Sequence, residues 1–297
     1  MRAVTLASLT LAACDAMTAV SAPTNVTAPV TTILRDVPHK DLWFGFWGSD
    51  SDVYGFSSLV WDNVSDEEID QHGAPNLRFM YPVYKFFCQG GQETGKCNVF
   101  PDFQDRWNAA VPKMTQLLND QKILGFFAGD EIICHSGAAG PSDTIVNTVR
   151  KSFPRGTAII WLNECGSTWP DHSVPENADW LSVDHYRSHK DDDYIGDVKK
   201  LYDNGVFKKM HSDQKVVLIP GAGHPKDNYK ICDDKCTCEV ELKDAKDFVD
   251  WAHDDSRVAG IMPYAWMRGA DVEYGLNEMS DNGDLKKFYT DLGRSTK

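Results

Sequence analysis

Eight short apolar runs recur between Leu42 and Ala265, and most are followed by a polar turn and then a stretch with helical periodicity. This alternation constrains the fold more than any other feature, because strands and helices in succession build parallel sheets through crossover connections. The runs span residues 42–47, 57–61, 77–84, 123–128, 158–162, 180–183, 216–220 and 259–265. Each is close to continuously apolar, as a strand buried on both faces must be. Helical stretches follow at 66–72, capped by Ser65, and at 103–119, 143–152, 195–210, 242–253 and 285–292. No helix is expected between the fifth and sixth runs. An open doubly wound sheet would need a phosphate-binding glycine loop after its first strand, and Gly45-Phe-Trp-Gly48 lacks that spacing. The expected fold is therefore α/β, a single (β/α)8 TIM barrel over residues 41–297.

Ahead of the barrel, Arg2 precedes the apolar run Ala3 to Ala13 and a small-residue stretch ending Ala19-Val-Ser-Ala22, which reads as a signal peptide over residues 1–22. Residues 23–40 are rich in Pro, Thr and Val without amphipathic period and read as a flexible leader. Secretion is the expectation. The alternative is a lipoprotein, since Leu11-Ala-Ala-Cys14 resembles a bacterial lipobox. No later segment reaches the ~18 uncharged apolar residues that a membrane span requires.

An oxidising compartment favours cysteine pairing. Cys88 and Cys97 flank a glycine-rich loop and are expected to staple it, and Cys134 and Cys165 lie just past neighbouring strand ends. Cys232, Cys236 and Cys238 share one polar loop, where disulfides are favoured over zinc because the spacing has no matching second half. Asn25 and Asn63 head glycosylation sequons. With 44 acidic against 30 basic residues, the formal charge of -14 repels nucleic acid and anionic membranes and suits a neutral or cationic ligand. A monomer acting on an oligo- or polysaccharide, without a cofactor, is expected.

Active sites of such barrels lie at the carboxyl ends of the strands. Here strand 1 ends Trp47-Gly-Ser-Asp50, strand 3 ends Tyr81-Pro-Val-Tyr84 and strand 4 ends Gly129-Asp-Glu131. Strand 5 ends Asn163-Glu164, strand 6 ends Asp184-His-Tyr186, and strand 8 ends Tyr264-Ala-Trp266. Acids after three consecutive strands bring carboxyl groups together, and crowded carboxylates hold one proton near neutrality, as two-carboxylate glycosidases require. Glu131, Asp130, Glu164 and Asp184 are the expected catalytic set. Trp47, Asp50, Tyr84, Asn163, Tyr186, Tyr264 and Trp266 are the expected substrate contacts, the aromatics offering flat apolar faces to sugar rings. Any one of the acids has a plain structural alternative as a helix cap, Asp184 as a salt-bridge partner, and Trp266 as barrel core.

Leu124-Gly-Phe-Phe-Ala-Gly-Asp-Glu131 resembles the strand 4 signature of the large (β/α)8 glycosidase clan, whose closing Glu is the general acid/base. Gly260-Ile-Met-Pro-Tyr-Ala-Trp266, followed by Tyr274-Gly-Leu276, resembles the strand 8 end of the same enzymes, whose Trp floors the catalytic subsite. The resemblance implies a glycoside hydrolase with Glu131 as acid. That clan carries its nucleophile at the end of strand 7, where this chain has Pro220-Gly-Ala-Gly223. Asp130-Glu131 also resembles the Asp-Glu pair of β-hexosaminidases, in which the Asp orients the substrate's own acetamido nucleophile, although the His and paired glycines of that longer motif are absent. No G-x-S-x-G, H-E-x-x-H or Walker sequence occurs. Two other readings stand beside the glycosidase. One is a metal-assisted hydrolase using His135, His185 or His224 with Asp130 or Asp184, and the other is a non-catalytic carbohydrate-binding barrel.

Overall fold

The structure, a computed structural model, describes residues 42–47, 51–61, 64–89, 97–186, 193–222, 224–225, 238–267, 272–279 and 283–297. The predicted signal peptide and leader, Asp50, the sequon asparagines Asn25 and Asn63, Cys232 and Cys236 lie outside the described residues. Eight parallel strands form one sheet: β1 (Trp43–Phe44), β2 (Leu59–Val60), β3 (Arg78–Pro82), β4 (Ile123–Asp130), β5 (Ile159–Cys165), β6 (Trp180–Asp184), β7 (Lys215–Leu218) and β8 (Val258–Ile261). Their spatial order is the order of the chain, with β8 returning to pair with β1. This is the (β/α)8 barrel that the alternation of runs predicts.

The seam between β1 and β2 closes by main-chain contact rather than by a regular ladder. Ser58 N–H donates to the Phe44 carbonyl at 2.9 Å, and Phe44 N–H donates to Ser58 Oγ at 3.0 Å. Gly45 permits the approach, since a Cβ there would lie 1.8 Å from the Leu59 carbonyl oxygen.

Helices pack outside the sheet. They are α1 (Asp66–His72), α2 (Phe103–Asn119), α3 (Ile132–Ser136), α4 (Gly140–Ser152), α5 (Tyr194–Leu201), which continues through a π turn into α6 (Phe207–Lys209), α7 (Cys238–Asp254) and α8 (Gly283–Thr296). Helix α1 starts where its sequence predicts, at a reciprocal capping box between Ser65 and Glu68. Turns alone connect β5 to β6, as expected. Among the described residues, no helix is long and apolar enough to cross a membrane. Two disulfides form as predicted, Cys88–Cys97 with Cα atoms 4.7 Å apart and Cys134–Cys165 at 5.8 Å.

The sheet's two faces are filled differently. Outward residues such as Phe44 and Phe126 meet aromatics of the helices, Tyr289 and Trp107. Inward, Trp61, Phe127 and Trp161 pack against one another with ring centroids 4.5–5.2 Å apart. These rings plug the lumen and form the floor beneath the carboxyl-end mouth.

One irregularity in β4 decides what reaches that mouth. Phe127 pairs with Trp161 and Asp130 pairs with Asn163, so β4 spends three residues where β5 spends two, and the register shifts between Phe127 and Gly129. In a regular strand, positions 127 and 130 would face opposite sides of the sheet. The extra residue turns Asp130 inward with Phe127, which is the re-aiming that β-bulges perform beside active sites.

The seam gives a stability test. Gly45→Ala presses a methyl against main chain that cannot rotate away, so a loss of about 3 kcal/mol, at the upper end for overpacking, is expected. It is read as a lower denaturant midpoint with unchanged slope, and a midpoint equal to wild type would show that the seam is looser than described.

Candidate active site

At the mouth, three strand ends meet through one amide. Asn163, fully buried on β5, donates one Nδ2 proton to Asp130 Oδ1 at 2.6 Å and the other to Asp184 Oδ2 at 2.7 Å. Its own carbonyl accepts from Ser182 Oγ at 2.5 Å, and Ser182 in turn accepts from the indole N–H of Trp161 at 2.8 Å. The indole N–H donates to Ser182, the serine proton goes to the Asn163 oxygen, and both amide protons go to the acids. Asn163, expected as a substrate contact, is thus placed as a bridge between two acids, with its amide protons given to Asp130 and Asp184.

The two bridged acids repel each other. Burial pushes the Asp184 carboxyl well above the ordinary range, and the negative charges of Asp130 and Glu131 push it further, against the opposing effect of Asn163. Asp184 thus keeps a proton where a solvated Asp has lost one.

Glu131 follows β4 directly, in a left-handed conformation (φ 51°, ψ 26°). Few non-glycine residues adopt it, and where one does the surroundings must hold it. It stands at the N-cap position of α3 yet makes no side-chain cap bond. Its carboxylate is partly exposed, lies 2.8 Å from His135 Nε2, and touches Cys165 Sγ at 3.1 Å. Because Cys165 is in a disulfide, that sulfur carries no proton and the contact is one of packing only. The His135 partnership went unread in the sequence, although its signal was there: Glu131 and His135 are four apart on one helical turn.

Glu164 behaves differently from its expected place in the catalytic set. It is fully buried, and its carboxylate accepts from the backbone N–H of Ile133 at 2.9 and 3.1 Å and of Cys134 at 3.1 Å. Strand alternation explains this, since Asn163 faces the lumen and the next residue must face the helices. Burial pushes Glu164 up to about 8, with the two N–H donors pulling it down and Asp130 and Glu131 adding to the rise.

Trp47, Tyr264 and Tyr186 form a row of half-buried rings, with centroids 4.3 Å apart for Trp47–Tyr264 and 5.0 Å for Tyr264–Tyr186. Tyr264 is pinned by β7, donating its N–H to Pro220 O at 2.9 Å and accepting from Ala222 N–H at 2.5 Å. The acids line the β4–β6 side of the mouth and the rings line the β6–β8–β1 side, with Tyr186, two residues after Asp184, joining them.

Two expected platforms lie elsewhere. Trp266 is buried against Phe46 (5.0 Å) and Phe56 (5.4 Å) in the layer behind β1, and Tyr84 is buried edge-on against Phe127 at 6.4 Å. Both are core, because their side chains meet the helix layer or the lumen plug instead of the rim. His185 stacks on Tyr194 at 6.1 Å, and the His224 side chain is outside the described residues. Among the described residues, no group of three or more His, Cys, Asp or Glu side chains is placed to hold a metal ion.

No protein-family model and no curated protein sequence matches this chain. Its fold is similar to solved β-glucuronidase structures. The Ruminococcus gnavus enzyme in complex with D-glucaro 1,5-lactone matches with a TM-score of 0.55 at 10% identity, over 81% of this chain and 44% of that one. The Bacteroides uniformis β-glucuronidase 2, covalently bound to cyclophellitol-6-carboxylate aziridine, gives 0.50 at 10% identity over 81% and 31%. A β-glucuronidase from an uncultured Clostridium gives 0.53 at 10% identity over 86% and 50%. The chain thus spans half or less of each of these proteins, and at such identity the likeness is one of fold.

The raised acids make stability depend on pH with a definite sign. Between the ordinary Glu value of 4.5 and about 8, the native state keeps a proton on Glu164 that the unfolded chain has released, and Asp184 does the same from 3.8 upward. Stability held below these values is lost as the pH rises through the native ones, so the melting temperature should fall from about pH 5 to about pH 8. Asp184→Asn should flatten that slope, and identical slopes in variant and wild type would mean that Asp184 ionises normally.

Proposed function

We propose that this chain is a secreted glycoside hydrolase that cleaves O-glycosidic bonds of an oligo- or polysaccharide, with Glu131 as the carboxylic general acid. The observation that carries the reading is the meeting of Asp130, Glu131 and Asp184 with the Trp47–Tyr264–Tyr186 row at one barrel mouth. Breaking a glycosidic bond needs a proton on the leaving oxygen and a carboxylate on the other side of the sugar, with the positive charge of the transition state between them. Glu131 is the exposed acid, and His135 gives it a partner through which a proton exchanges with solvent. The Asp130 and Asp184 pair supplies the second carboxylate, since one proton shared by the pair leaves one of them charged. Sugar rings present flat C–H faces, which suit half-buried aromatic rings. The leader-like N-terminus and the two disulfides support secretion.

A screen of polysaccharides and aryl glycosides from acidic to neutral pH is the first test. Glycan binding with no product release from any substrate would favour a carbohydrate-binding barrel over an enzyme. Given an active substrate, Glu131→Gln should lower the rate by about 10² to 10⁴ for poor leaving groups, with binding and fold retained, and should affect activated aryl glycosides less. Asp130→Asn then separates two mechanisms, because a substrate-assisted enzyme needs that Asp to hold an acetamido group and should lose most of its activity. Unchanged hydrolysis of a natural glycan by Glu131→Gln would place the acid elsewhere.

A further inference from the structure

An acid at a strand-to-helix junction is ordinarily consumed as the helix cap, its carboxylate folded back onto the N–H groups of the first turn. Glu131 occupies that position and is not consumed. The N–H groups of Ile133 and Cys134 are already taken by Glu164, which reaches across from the neighbouring strand. Three consecutive residues of β5 grip the same turn. The Asn163 carbonyl accepts the Glu131 N–H at 2.9 Å, Glu164 holds Ile133 and Cys134, and Cys165 is bonded to Cys134.

We infer that Glu164 is a positioning residue for Glu131: by capping residues 133 and 134 in its place, it leaves the Glu131 carboxylate free at the barrel mouth. This rests on the hydrolase reading for its kinetic consequence and on the geometry alone for its structural one. The left-handed backbone of Glu131 fits the same picture. That conformation sends the chain sharply from β4 into α3 and persists only while both sides of the turn are held. Remove Glu164 as an acceptor, and the two N–H groups lose their partner, while Glu131, at the N-cap position of the same turn, carries a carboxylate that can fold back to them. Glu131 would then leave both His135 and the mouth.

The test is Glu164→Gln, read above about pH 8, where it keeps the volume but replaces a carboxylate oxygen with an NH2 donor against the Ile133 N–H. On a substrate with a poor leaving group, kcat should fall about 10²-fold with KM little changed. Activated aryl glycosides should lose less, as for Glu131→Gln. The double variant Glu131→Gln/Glu164→Gln should be no slower than Glu131→Gln alone, because both changes remove one proton donor. Losses that multiply, or a kcat equal to wild type, would overturn the inference and leave the hydrolase reading intact.

A measurement without substrate keeps the two apart. In Glu164→Gln the His135 ring ¹⁵N resonances should move to the positions they take in Glu131→Gln, as Glu131 withdraws. Resonances unmoved from wild type would overturn the inference whatever the activity. Should Glu164→Gln not fold, Glu164→Asp, which keeps the carboxyl group but shortens the reach by one methylene, is read by the same two measurements.

Discussion

Two carboxylates bound to one buried amide set the terms for the rest of the mouth. Asn163 has two protons and gives one to each acid, so Asp130 and Asp184 are held side by side in a place where their charges repel. The amide cannot turn over, because Ser182 and Trp161 fix its oxygen on the other side. Such a chain is satisfied only as a whole, and losing a donor in the middle would leave buried acceptors unpaired. Its floor is the ring plug of Trp61, Phe127 and Trp161, whose low polarity strengthens every interaction above it. The indole of Trp161 belongs to both, packing below and donating above.

Getting Asp130 to this amide depends on the backbone irregularity in β4. A strand of regular pleat would present Gly129 to the lumen and Asp130 to the helices, so the acidic pair exists because of the one extra residue between Phe127 and Gly129. Gly129 has its own part, since a side chain there would collide with Ile132 at the start of α3. The turn that follows is held by β5, and β5 carries the bridge. The acid pair, the Glu131 turn and the disulfide thus hang on three consecutive residues of one strand, Asn163, Glu164 and Cys165.

What the sequence could disclose followed from period and spacing. Helix α2 begins and ends where its apolar period does, α1 begins at the serine that caps it, Cys88–Cys97 joins the two ends of the loop it flanks, and Cys134–Cys165 joins strand ends that the barrel makes neighbours. The barrel as a whole was legible because burial on both faces leaves continuous apolar runs. The direction of single side chains was not. Glu164 looks like a rim acid in the sequence because it closes an apolar run, yet alternation along β5 sends it behind the sheet. Asn163 looks like a substrate contact, and only the positions of its neighbours show that its protons are spent. Trp266 lies beyond the ladder of β8, where the chain turns back under Phe46 and Phe56; an aromatic residue reads the same in a rim and in a core.

The end of β7 shows where this chain departs from the glycosidase clan it resembles. The clan that Leu124–Glu131 resembles carries a nucleophile at that strand end, and here the position is Gly221. A Cβ on Gly221 would stand 3.6 Å from the Tyr186 ring, in ordinary contact with it. The main chain there pairs with Tyr264 as a short parallel bridge. Gly221 itself carries no carboxylate, and the acids gathered at this mouth stand on β4 and β6, where the shared amide of Asn163 holds Asp130 and Asp184 together.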